Sequence, residues 1–177
     1  MRYGVMNSPV NPLLQEVEIL GKLGFDYMEV TMDAPHAHHS VIRAQKDDLC
    51  RALEGFGMEL ACHLPTFVST ADLTDTIREA SIRESLDAMH MAAELGAIKA
   101  VLHPSFIQGL GAMMPDLARK RAMEAMGRLL GEAEKLRLTV CVENLFPRSL
   151  SLARPEDFDA VFNEFPNAQL TLDTGHA

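Results

Sequence analysis

Six short apolar runs punctuate the chain, at 2–7, 26–32, 59–63, 98–103, 138–143 and 169–173. Between them the apolar residues change period. Leu13, Val17 and Leu20 recur at helical spacing, as do Leu49, Leu53 and Phe56. The segments 74–95 and 116–136 predict two long helices, the second with Met123, Met126, Leu130 and Ala133 as its core face. Phe158, Val161, Phe162 and Phe165, behind Pro155, predict a short fifth helix. Strand and helix alternate five times and a sixth strand follows. Successive parallel strands need a crossover between them, so this order predicts an α/β fold with a parallel sheet and right-handed connections.

Two closures satisfy that pattern, an open doubly wound sheet and a (β/α)8 barrel. An open sheet that binds nucleotides carries a glycine-rich turn after its first strand. Here that turn reads Asn7-Ser8-Pro9-Val10-Asn11-Pro12, with no phosphate-cradling glycine motif. The expectation is a TIM-barrel type fold, one domain over 1–177, with six parallel strands and five helices. Thr76 and Glu79 have capping-box spacing at the start of the first long helix, and Glu79 stands four residues before Arg83 as an ion pair would.

Charge and composition narrow the function. There are 16 Lys+Arg against 25 Asp+Glu, a net charge of −9. That balance argues against holding nucleic acid or an anionic membrane by bulk charge, and leaves a local basic or metal-lined site open. No apolar run nears the roughly 18 residues of a membrane span. The first residues, Met1-Arg2-Tyr3-Gly4-Val5, do not read as a signal peptide, so a cytoplasmic location is expected. Cys50, Cys62 and Cys141 are an odd, widely spaced set. They predict no disulfide framework, and Cys62 and Cys141 read as buried thiols.

The polar residues gather at one end of the predicted strands. His63, His103, Glu143 and Asp173 close strands three to six, at spacings of 40, 40 and 30 residues. Each step is one strand–helix unit, so all four point to the carboxyl-terminal face, where barrel enzymes keep their sites. His176 follows Asp173 by three residues. Carboxylates against apolar walls cost several kcal/mol unless paired or metal-bound. Two imidazoles and two carboxylates converging there suit a divalent cation such as zinc, manganese or iron. The loop 33–39 adds His36, His38 and His39 and reads as a solvated loop over the mouth, with His38 a candidate substrate contact. His90 reads as a helix-surface residue, and Arg148 and Arg154 as exposed loop residues near the mouth.

The strand ends read His63-Leu64-Pro65, His103-Pro104-Ser105, Val142-Glu143-Asn144 and Leu172-Asp173-Thr174-Gly175-His176-Ala177. These motifs resemble the xylose-isomerase-like TIM-barrel superfamily, which holds sugar-phosphate isomerases and epimerases together with the endonuclease IV type of abasic-site nuclease. The resemblance implies that Glu143 is a metal ligand and acid/base. It implies that Asp173, His63, His103 and His176 are further ligands and that His176 contacts substrate. Glu29 resembles an acidic residue common at the end of strand two, either a substrate contact or a structural hydrogen-bonding group. The cofactor implied is Zn, Mn, or Fe, Co or Mg, and the reaction is proton transfer next to a carbonyl.

Three functions compete. The first is a metal-dependent sugar or sugar-phosphate isomerase or epimerase, acting on a small molecule. The second is a metal-dependent phosphodiesterase at abasic DNA sites, which the acidic balance disfavours. The third is a barrel fragment or scaffold without catalysis of its own. A full barrel takes about 250 residues. A chain of 177 residues is thus expected to be an incomplete barrel, truncated after strand six. Its open sheet edges would favour pairing with a second copy.

Overall fold

The computed structural model describes residues 1–176. The strands are β1 (Gly4–Met6), β2 (Tyr27–Thr31), β3 (Glu59–His63), β4 (Ala100–Leu102), β5 (Val140–Glu143) and β6 (Gln169–Thr171). They form one sheet in the order β1-β2-β3-β4-β5-β6, and every pairing is parallel. Each strand lies beside its neighbour in sequence, the order that a barrel wall requires. No helix among the described residues is long and apolar enough to cross a membrane.

Five helices sit where the periodicity places them: α1 (Leu13–Gly21), α3 (Lys46–Phe56), α4 (Asp75–Glu94), α6 (Pro115–Leu136) and α7 (Phe158–Glu164). Two short ones are added, α2 (His39–Ala44) and α5 (Leu110–Met113). Neither is long enough to show an apolar stripe, so periodicity could not reveal them. The loop expected over 33–39 therefore gives way to helix at His39. Gly57 ends α3 at φ +66°, and its N–H reaches the carbonyls of Leu53 and Glu54. That left-handed cap is a position where glycine carries no Cβ penalty.

The capping box is not formed. Helix α4 begins at Asp75, with Thr74 as its cap residue and Thr76 already inside the first turn. The Thr74 N–H is taken by Asp72 Oδ1 at 2.7 Å. Glu79 does not pair with Arg83. It accepts two hydrogen bonds from Arg128 of α6, at 2.7 and 2.9 Å. Helices α4 and α6 pack side by side, and the guanidinium across that seam outcompetes the one on Glu79's own helix.

The two faces of the sheet differ. Met28, Val30, Leu60, Cys62, Leu64, Leu102, Val140 and Val142 are buried in one cluster with Leu49, Leu53, Met89, Met91, Met126 and Leu129 from the helices. Strand residues alternate sides, so the opposite, concave face carries Glu29, Thr31, Ala61, His63, Cys141 and Glu143. The register sets Glu29 beside Ala61, Thr31 beside His63 and Glu143 beside Thr171. The runs are thus apolar toward the helices and partly polar toward the lumen. Cys62 and Cys141 are buried free thiols, and burial pushes the Cys62 thiol up to about 12.

Candidate metal centre

Glu143 is the hub of the carboxyl-terminal face. His63 Nε2 and His103 Nε2 lie 3.4 and 3.3 Å from its Oε2. His176 Nδ1 lies 3.3 Å from its other oxygen, Oε1. His176 Nε2 in turn stands 3.7 Å from Asp173 Oδ2. The His63 and His103 rings meet edge to face at 4.7 Å. His63 and Glu143 are buried, His103 and His176 are partly buried, and Asp173 is the most open. All five residues read from the strand ends are therefore together.

Local bonding fixes each side chain. His63 Nδ1 lies 2.8 Å from the Leu64 carbonyl, and His176 Nδ1 lies 2.8 Å from the Asn144 carbonyl. A carbonyl only accepts, so both Nδ1 atoms carry hydrogen. In the neutral tautomer each Nε2 then presents a lone pair. For His63 that lone pair faces Glu143, and for His176 it faces Asp173. A lone pair against a carboxylate is repulsive unless a cation lies between them, either a proton or a metal. This donor set fits a divalent cation: two ligand groups, His63–His103–Glu143 and Glu143–Asp173–His176, share Glu143.

Without a metal, protons take up that role. Burial pushes the Glu143 carboxyl up, but the hydrogen bonds of His103 and His63 outweigh it and hold the group well below its ordinary range. Burial depresses His63, while Glu143 and the Leu64 carbonyl more than compensate and raise it above 6.5. Glu29 lies deeper on the lumen face, beneath His63 and Glu143. Its carboxyl is raised, chiefly by burial, with Lys99 and His63 pulling the other way.

Asn144, the last residue of the Val-Glu-Asn motif, ties the end of β5 to the loop after β6. Its Nδ2 donates to the Asp173 carbonyl at 2.9 Å, and its Oδ1 accepts from the Asp173 N–H at 2.7 Å. Asp173 Oδ1 then accepts from the N–H groups of Gly175 and His176, at 2.6 and 3.1 Å. These bonds fold the loop so that His176 turns back over Glu143. Nothing but adjacency to Glu143 in the motif could have signalled this.

The histidines of 33–39 are not brought to Glu143. His36 is exposed. His38 and His39 turn to Glu84 of α4, with Nε2–Oε1 distances of 2.7 and 3.3 Å. His90 sits on the helix surface, 3.2 Å from Glu132. A cavity of about 470 Å³ opens beside His103 and His176, lined also by Phe106, Phe146 and Arg148. The exposed Arg148 guanidinium lies over the Phe146 ring at 4.9 Å. Arg154 is exposed and does not line this cavity.

A parallel sheet with strand order equal to chain order, and an imidazole–carboxylate cluster at its carboxyl-terminal face, defines a TIM-barrel type of α/β protein with a candidate metal centre. The chain belongs to the xylose isomerase-like TIM barrel family, which matches it over residues 17–177. Solved structures share its fold. A D-tagatose 3-epimerase-like protein superposes with a TM-score of 0.86 at 22% identity, over 99% of this chain and 66% of that one. The 3-keto-D-glucoside 4-epimerase of E. coli gives 0.79 at 17%, over 99% and 69%. The D-psicose 3-epimerase of Clostridium cellulolyticum, solved with D-tagatose, gives 0.79 at 19%, over 99% and 64%. The chain thus spans about two thirds of the length of these structures. No curated protein matches its sequence.

Proposed function

We propose that the chain carries the centre of a divalent-metal-dependent sugar or sugar-phosphate isomerase or epimerase, working by proton transfer at a carbon next to a carbonyl. The observation that carries this reading is the fixed tautomer of His63, whose Nε2 lone pair aims at Glu143 Oε2. In this reading residues 1–177 are one unit. His63, His103, Glu143, Asp173 and His176 hold the cation. Imidazole nitrogens favour zinc, iron or cobalt, while the carboxylates also suit manganese or magnesium. A cation bound there supplies Lewis-acid polarisation of the sugar's carbonyl and hydroxyl oxygens.

The protein residues do the rest. Glu143 is ionised at neutral pH because His103 and His63 outweigh its burial, so it is ready to accept a proton. Its Oε2 faces the two strand-end imidazoles while its Oε1 faces His176. Oε1 is the atom on which the substrate proton is held. In this reading Glu29, whose carboxyl burial keeps raised, bonds a sugar hydroxyl. The cavity beside His103 and His176 receives the remainder of the substrate, with Phe106 and Phe146 excluding water. Support for a sugar substrate comes from two sugar epimerases and a D-tagatose 3-epimerase-like protein whose fold this chain shares.

The test is deuterium wash-in. Ketohexoses and their phosphates are incubated in D2O with the protein and Zn²⁺, Mn²⁺ or Co²⁺, and the C–H next to the carbonyl is followed by NMR. If the reading frame extends past Ala177, its full product is assayed beside the chain. Metal-dependent exchange that Glu143→Gln abolishes is expected. Metal binding without exchange on any of these sugars would sink the reading.

One observation favours a second reading. Two ligand groups sharing Glu143 are what a two-metal phosphodiesterase uses, with the carboxylate as bridge. Zinc-dependent cleavage of an abasic-site duplex, absent in Glu143→Gln, would select it over the first.

A further inference from the structure

A second cluster of ligating groups lies away from Glu143, on the helix side of the sheet. His38 and His39, at the start of α2, both direct Nε2 at one oxygen of Glu84, midway along α4. We propose that His38, His39 and Glu84 form a second divalent-metal site, of zinc type, that clamps α2 to α4. This site does not depend on the isomerase reading.

The geometry is close to what zinc takes. Bonds of about 2.0–2.2 Å to nitrogen and oxygen in a tetrahedral shell set neighbouring ligand atoms roughly 3.3–3.5 Å apart. His39 Nε2 and Glu84 Oε1 are already 3.3 Å apart, and His38 Nε2 must withdraw from 2.7 Å. One ligand atom from each residue lies within 4.8 Å of the others. The three side chains are partly buried, which leaves solvent one face from which a water completes the shell.

The tautomers allow it. His38 Nδ1 lies 2.7 Å from Ser40 Oγ, which accepts as readily as it donates. In the metal-free chain Nδ1 accepts from the Ser40 N–H at 3.3 Å, so Nε2 carries the hydrogen toward Glu84. With that hydrogen moved to Nδ1 and given to Ser40 Oγ, the cap bond is given up and Nε2 has its lone pair free. Binding moves that proton within the ring and expels none from a neutral histidine. Two imidazoles on one carboxylate oxygen, with ring centres 4.1 Å apart, otherwise compete for it. Nitrogen-rich ligation selects zinc-like ions over magnesium or calcium.

The clamp has a job. Helix α2 has six residues, too few to be stable alone. A metal spanning α2 and α4 adds a cross-link at the start of α2, complementing the Arg43–Glu94 ion pair that already joins the two helices at its other end.

Hydrogen exchange on the whole chain tests this locally. Zn²⁺ is expected to slow amide exchange over 39–44 at least tenfold, while Mg²⁺ leaves it unchanged. Glu143→Gln, at the other centre, should keep the protection. Glu84→Gln, which still accepts from His38, and His39→Gln should each lose it and lower zinc bound per chain by one. Their metal-free melting curves check that the fold survives. The proposal is overturned if zinc leaves 39–44 unchanged in the parent chain. It is equally overturned if protection persists in a folded Glu84→Gln or His39→Gln protein, or vanishes in Glu143→Gln.

Discussion

Asn144 and Asp173 hold each other through a reciprocal pair of hydrogen bonds, 2.9 and 2.7 Å long, between the end of β5 and the loop after β6. Each bond ties a buried amide to the backbone of a residue 29 positions later. Asn144→Ala removes both and leaves the Asp173 N–H and carbonyl to find water. The expected cost is about 1–3 kcal/mol, or roughly 2–4 °C in Tm for each kcal/mol in a chain of this size. Asp173 and His176 lose their placement with it, so zinc affinity should fall about 10–100-fold. Calorimetric titration beside a thermal melt measures both, and an unchanged Tm would contradict this account of the loop.

Glu143→Gln removes the charge that both ligand groups share. Zinc affinity should drop by more than the 10–100-fold typical of losing a group that only orients a ligand. The metal-free protein should change its pH profile as well. Glu143 is held below its ordinary 4.5 because His103 and His63 outweigh burial. Its stabilising contribution is full above 4.5 and is lost as pH falls through the lowered value. His63 is raised above 6.5, Glu143 and the Leu64 carbonyl outweighing burial. Its contribution is full below 6.5 and is lost as pH rises through the raised value. Melts in chelator should therefore show a plateau between these limits and a fall on either side. Glu143→Gln should flatten both falls.

Glu29→Gln should act with the opposite sign at alkaline pH. Burial raises the Glu29 carboxyl above 4.5, so the folded chain favours its neutral form. That preference costs nothing below 4.5 and costs stability as pH rises through the raised value. The glutamine variant should match the parent near pH 4 and melt higher at pH 8. A lower melt at pH 8 would mean that Lys99 and His63 pair with the charge better than burial penalises it.

Gly21→Ala sets two effects against each other. Alanine favours helix over glycine by about 1 kcal/mol. A Cβ at Gly21, however, would overlap the ring of Phe56 on α3, and α1 packs on α3. Overpacking of this kind typically costs about 1–3 kcal/mol, so net destabilisation is expected in urea unfolding. Adding Phe56→Leu should recover part of the loss.

The strand ends were legible because a βα unit returns the chain to the same face at each repeat. His63, His103, Glu143 and Asp173 needed only that count. His176 was legible as a neighbour of Asp173. The Glu84 partner of His38 and His39 was not, since it sits mid-helix with no punctuation around it. Thr76 and Glu79 show the limit of local spacing. The helix starts two residues earlier than a box on Thr76 needs, and Arg128, 49 positions away, takes the glutamate. Asn144 lay inside a motif already read, yet its bonds depend on where the loop after β6 returns.

Because strand order equals chain order, the centre is assembled in the order of synthesis. His63 and His103 emerge first, and their rings come to rest 4.7 Å apart. The carboxylate that both imidazoles face is translated 40 residues after His103. Until β5 docks beside β4, the nascent wall has nitrogen donors but no hub. In the proposed reading, a cation finds its shared carboxylate only after β5 is made, so metal loading follows the first four strands rather than nucleating them.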